Sequence, residues 1–83
     1  MDPIQSAVHA FILAEFLPGA RPSELATDTP LISGGVLDSL ATVRLVAFLE
    51  DQYHITIEPH EASVDYLDTV EQIAALVRSK QAA

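Results

Sequence analysis

Apolar residues recur at helical spacing in three stretches of this chain, and polar residues rich in Pro, Gly and Ser separate them. Ile4, Val8, Phe11 and Ile12 form one stripe, which predicts a first helix. Asp2-Pro3 is a good start for it, because proline tolerates the first helical position. Pro18-Gly19 ends it. A second helix is predicted from about Ser39 to Tyr53, with Thr42, Leu45, Val46, Leu49 and Tyr53 sharing a face assigned to the core. Leu40, Val43, Arg44, Ala47 and Asp51 point broadly the other way. Three of those five are apolar, so this helix is hydrophobic on more than one side. Either another element, such as a long loop, covers them, or they form a partner-docking patch near Ser39. Val70, Ile73, Ala74 and Val77 stripe a last helix. Thr69-Val70-Glu71-Gln72 fits a capping box at its start, and the polar Ser79-Lys80-Gln81 tail is expected to fray.

The connections are unequal. From Ala20 to Leu37 the chain is rich in Pro, Ser, Thr and Gly and reads as loop, with Leu25, Leu31 and Ile32 expected to pin it to the core. A loop of this length is more often functional than idle. Ile55-Thr56-Ile57 alternates like a strand but is short and unpaired, so an extended connector ending at Pro59 is expected. A brief third helix fits between Glu61 and Leu67. The expected architecture is all-α: a small four-helix bundle, three helices longer and one short, with one long loop between helices 1 and 2.

Eighty-three residues make one domain, 1–83, with one core. Little interior is left to frame a large catalytic cleft. A hydrophobic content of 49% argues against disorder despite the net charge of -8. Twelve acidic against four basic residues make nucleic acid and anionic membranes poor partners, since phosphates are repelled. Enzymes with basic docking surfaces are attracted instead. There is no cysteine, hence no thiolate metal site and no thiol on which to form a thioester. Met1-Asp2-Pro3-Ile4-Gln5 lacks the pattern of a signal peptide, and Glu15 interrupts the apolar run from Ala10 to Leu17, so no membrane span is expected. The expectation is a soluble, cytoplasmic monomer.

The chemistry concentrates in Gly34-Gly35-Val36-Leu37-Asp38-Ser39-Leu40. Asp38 suits an N-cap, because its carboxylate can accept a backbone N–H from the turn that follows. Ser39 then falls at the first helical position, where the helix dipole and unpaired N–H groups favour a phosphate ester. A nucleophilic serine would need a base and an oxyanion site. Leu37 and Ala41 occupy the glycine positions of a Gly-x-Ser-x-Gly elbow, and His9, His54 and His60 follow no recognised pattern, so intrinsic hydrolysis is rejected. His54, Glu58, His60 and Glu61 cluster on a connector but match no familiar ligand spacing, and no metal site is assigned.

Leu37-Asp38-Ser39-Leu40, followed by a helix rich in Val and Leu, resembles the phosphopantetheine attachment site of acyl and peptidyl carrier proteins. Thr29-Pro30-Leu31-Ile32 ahead of it and Asp68-Thr69-Val70-Glu71 well downstream agree, and the resemblance runs from about Ile4 to Val77. It implies that a phosphopantetheinyl transferase joins 4'-phosphopantetheine from coenzyme A to Ser39, with Asp38 beside the divalent cation during transfer. It implies a carrier that catalyses nothing itself and holds acyl or aminoacyl groups as thioesters. Leu40, Val43, Arg44 and Ala47 are expected to meet partner enzymes. Housekeeping fatty-acid carriers usually follow Asp-Ser-Leu with an acid and place acids further along the helix, whereas here Ala41 and Arg44 stand. That departure favours a specialised free-standing carrier, loaded by an adenylating acyl- or aminoacyl-carrier ligase and read by a downstream transferase or synthase. A housekeeping fatty-acid carrier is one rival. A non-carrier helical interaction module, which needs no modified Ser39, is the other.

Overall fold

Four α-helices carry the fold in the computed structural model, which describes residues 1–82: α1 (Pro3–Phe16), α2 (Ser39–Tyr53), α3 (Val64–Leu67) and α4 (Val70–Ala82). Two single 3-10 turns, Pro22–Glu24 and Pro59–Glu61, interrupt the connections. Among the described residues there is no strand, as expected of an all-α bundle.

α1 begins with a full capping box. Asp2 Oδ1 accepts the Gln5 N–H at 2.8 Å, and the Gln5 side chain accepts the Asp2 N–H at 3.4 Å. Val8 and Ile12 are buried and pack chiefly against α4, where Val70, Ile73, Ala74 and Val77 are fully buried. Leu76 is buried too and widens the stripe that the spacing marks. Two expectations for α4 need correction. The tail does not fray: Lys80 Nζ reaches Glu61 Oε1 at 2.7 Å, Arg78 pairs with Asp2, and the helix holds to Ala82. The capping box is only half formed. Thr69 Oγ1 accepts the Gln72 N–H at 3.0 Å, but Gln72 Oε1 accepts from Asp68 N rather than from Thr69 N.

The long loop is well anchored. Leu25, Leu31 and Leu37 are buried, and Ile32 is half-buried. His9, inside α1, holds Leu25 O at 2.7 Å through Nε2, which must donate because a carbonyl only accepts. Thr27 Oγ1 donates to Glu71 Oε2 at 2.8 Å, and Glu71 N donates back to Thr27 O. The loop then makes a tight turn at Gly34, where a Cβ would lie 2.3 Å from Pro30 O, so only glycine fits.

α2 buries Leu45 and Leu49 completely, with Thr42 and Ala41 beside them. Phe48 stacks on Phe11 of α1 with ring centroids 4.1 Å apart. The helix stops at His54, whose left-handed backbone (φ 54°) breaks the repeat as a glycine usually does. The connector 55–58 forms neither helix nor strand, and its last residue, Glu58, has extended backbone. Ile57 is buried, and its N–H is taken by Glu50 Oε2 at 2.9 Å.

Candidate functional site

The start of α2 is built by Asp38. Its Oδ1 accepts the Ala41 N–H at 2.7 Å, and its carbonyl accepts both Thr42 N at 2.9 Å and Thr42 Oγ1 at 2.8 Å. The second carboxylate oxygen takes no part in the cap, and the residue is exposed. Ser39 follows as the first residue of α2 and is exposed. Its hydroxyl therefore sits beside the unpaired N–H groups of the helix end, where a phosphate ester is favoured.

Two depressions lie at the start of α2; Asp38 lines both, and Ser39 lines the larger. One is an open groove of about 700 Å³ between α2 and the segment leading into α3, lined by Ile32, Ser39, Val43, Val46, Ile57 and Val64 among others. The other is a smaller notch formed by Phe16, Asp38, Leu40, Ala41 and Arg44. The groove lies open on the surface and is not framed by the interior. α3 has only one turn and packs on α4 rather than on α2, so the space in front of Val43 and Val46 stays open.

The outward face of α2 is not covered by the loop. Leu40 is 63% and Val43 64% exposed, and Arg44, Ala47 and Asp51 are also exposed. Ala47 lies farther along the helix and lines neither depression. Ala41 is buried, so of the two departures from the housekeeping pattern only Arg44 changes the surface. Among the described residues the other three cations have ion-pair partners: Arg21 with Glu24, Arg78 with Asp2, Lys80 with Glu61. Arg44 has none.

The loop ahead of Ser39 is tied down from across the molecule. Asp68, between α3 and α4, accepts Ile32 N and Ser33 N on Oδ1, each at 2.8 Å, and Ser33 Oγ on Oδ2 at 2.7 Å. Its backbone carbonyl accepts Leu31 N at 2.6 Å. The Ser33 amide and hydroxyl, with the Ile32 amide, hold the Asp68 carboxyl below its ordinary range, although burial opposes them. On the opposite rim, the hydrogen bond from Lys80 and the Glu58 amide lower Glu61.

The three histidines are placed elsewhere in the fold. His9 holds Leu25, His54 ends α2 about 22 Å along the helix from Ser39, and His60 meets Tyr66 edge-on. With Glu61 committed to Lys80, the connector cluster has lost one of its four candidate ligands.

A family model described as a phosphopantetheine attachment site matches residues 12–77. The chain belongs to that carrier family. Its prosthetic group is 4'-phosphopantetheine, and family membership brings with it a phosphopantetheinyl transferase and, in general terms, synthase-type enzymes that use the loaded carrier. Seven chains of solved structures match. One, from a crystal structure of an FAD-dependent dehydrogenase, is 37% identical, with a TM-score of 0.75 over 84% of this chain and 97% of that one. No curated protein matches. Among the described residues no helix is long and apolar enough to cross a membrane.

Proposed function

We propose that Ser39 is the attachment point of the arm and that residues 1–83 form one carrier domain, which delivers acyl or aminoacyl groups in a specialised biosynthetic pathway. The observation that carries this reading is the exposed Ser39 at the first position of α2, beside the Asp38 cap and lining an open groove. In arm transfer the Ser39 oxygen attacks the pantetheine-side phosphorus of coenzyme A. The new Oγ–P bond replaces the bond to adenosine 3',5'-bisphosphate, which leaves, and the serine proton passes to a base of the transferase. Asp38 can hold the cap with one oxygen and meet Mg²⁺ with the other. Once attached, the arm supplies the terminal thiol on which a thioester forms, and the chain itself catalyses no step.

Leu40, Val43, Arg44 and Ala47 form the partner face in this reading, with Arg44 meeting an acidic or hydrogen-bond-accepting spot on an adenylating loading ligase. An exposed cation without a local partner, on a protein of net charge -8, supports that role. The similar chain from the FAD-dependent dehydrogenase crystal structure supports a flavin-dependent dehydrogenase among the downstream partners, since 97% of that chain is covered by 84% of this short one. Such an enzyme would take a proton on one of its own bases and a hydride on its oxidised flavin from adjacent carbons of the tethered acyl group, leaving a carbon–carbon double bond. The carrier works as a monomer in the cytoplasm in this reading.

Intact-mass spectrometry after incubation with coenzyme A and a phosphopantetheinyl transferase tests the core of the proposal. Wild type gains one phosphopantetheine and Ser39→Ala gains none. An unmodified wild type would favour the plain interaction module.

A further inference from the structure

The carboxylate of Asp68 is spent on neither helix that flanks it. Asp68 is the C-cap residue of α3 and Thr69 caps α4, but the Asp68 carboxylate accepts no hydrogen bond from either helix. All three side-chain hydrogen bonds it accepts come from residues 35 and 36 positions away in sequence. Those residues, Ile32 and Ser33, stand directly before the Gly34-Gly35 turn that leads into Asp38-Ser39. Ile32 also lines the groove at Ser39. The Asp68 carbonyl adds Leu31, so three consecutive backbone N–H groups end on one residue. Leu37 N closes the segment by donating to Leu31 O at 2.9 Å. The path from Asp68 to the Ser39 cap is therefore continuous: Asp68, Leu31–Ser33, Leu37, Asp38.

We propose that Asp68 is a positioning residue for arm attachment: it clamps the segment ahead of α2 to the α3–α4 junction and so fixes where Ser39 is presented to the transferase. The inference rests on Ser39 as the attachment point. A carboxylate suits the task because it accepts several hydrogen bonds at once, and bonds to a charged acceptor are stronger than neutral ones. Without it, two amides and a hydroxyl turn to water, and the segment is left to the burial of Leu31 and Leu37 and to backbone bonds such as Leu31 N to the carbonyl of residue 68. Binding then has to order it each time, which lowers the yield of productive encounters.

Steady-state arm transfer, at a temperature where every variant is folded, tests the clamp together with amide hydrogen exchange at Ile32 and Ser33. Asp68→Ala is expected to lose about tenfold in kcat/KM and to lose protection at both amides. Asp68→Asn, whose carbonyl can still accept both amides, is expected to restore protection and most of the rate. A folded Asp68→Ala that is modified at the wild-type rate overturns the proposal, as does an Asp68→Asn that restores protection but remains as slow as Ala. If Asp68→Ala does not fold, Asp68→Ser replaces it, with partial protection and an intermediate rate expected; a wild-type rate there is equally fatal. Ser39→Ala runs in parallel. Mass gain in that variant would overturn the attachment site itself, independently of how the Asp68 variants behave.

Discussion

Two regions of this molecule are held together by different forces. The α1–α4 body is apolar: Val8, Ile12, Val70, Ile73 and Val77 have no exposed surface. The face around Ser39 instead depends on polar ties, with Asp68 holding the loop and Glu61–Lys80 holding the opposite rim. Burial of apolar surface is strong and non-directional, so it makes a fold. Hydrogen bonds and exposed ion pairs contribute little net energy but are directional, so they set geometry. Damage to the first region should therefore appear as lost stability, and damage to the second as altered chemistry in a protein that still folds.

The sharpest separation is expected at Ser39. Ser39→Ala should abolish arm attachment while the melting temperature hardly moves, because alanine is a good helix former and Asp38 still caps. A large loss of melting temperature would show that Ser39 belongs to the stabilising body. Within α2 the two forces can be set side by side. Leu49→Ala, at a fully buried position, should cost about 2–5 kcal/mol. Val43→Ala, at an exposed one, should cost roughly 0.5 kcal/mol or less and should weaken partner binding instead. Chemical denaturation of both variants reads the difference, and equal losses would reverse the facing assigned to α2.

His9 tests a polar tie inside the body. His9→Leu leaves Leu25 O without its donor and should cost about 1–3 kcal/mol, with faster amide exchange across the long loop. Arg44→Glu should leave stability and arm attachment nearly untouched while slowing thioester loading by about fivefold, roughly 1 kcal/mol. Loading assays at two salt concentrations should show the deficit shrinking as salt rises. The smallest effect concerns acid. Asp68 and Glu61 both have lowered folded-state pKa values, so their contribution is full above the ordinary carboxylate value near 4 and is lost as pH falls through the folded values below it. Wild type should therefore lose melting temperature more steeply than Asp68→Asn below about pH 4.

The helices were legible where a local signal and a periodic one coincide. Asp38 as cap, followed by a two-sided apolar pattern, places α2 at Ser39–Tyr53, with Leu45 and Leu49 inward and Leu40 and Val43 outward. The Ser39 motif needs only local context, so it too can be read directly. Contacts between distant segments could not be read. Asp68 finds Ile32 and Ser33 across 36 and 35 residues, and His9 finds Leu25 across 16. Nothing in the spacing of those residues marks the pairing. Lys80 looked like tail for the same reason, since its anchor Glu61 lies on a different element. The groove escaped because it depends on α3 turning away from α2, a choice made by tertiary packing. Ala41, a departure from the housekeeping pattern in sequence, is turned inward by helical geometry and so alters no exposed surface.

The turn at Gly34 and Gly35 bears on how much mutation this chain can absorb. The two glycines are irreplaceable to different degrees. At Gly35 there is open space for a Cβ and the obstacle is only a positive φ of 83°, which asparagine or aspartate can tolerate. At Gly34 any side chain collides with the Pro30 carbonyl, and the backbone has to yield. Pro30 is joined to Leu31, the first residue of the Asp68 clamp, so the displacement enters the segment that aims Ser39. In a saturation library selected for arm attachment, position 34 should return glycine alone, position 35 a small set, and exposed Leu40 a broad one.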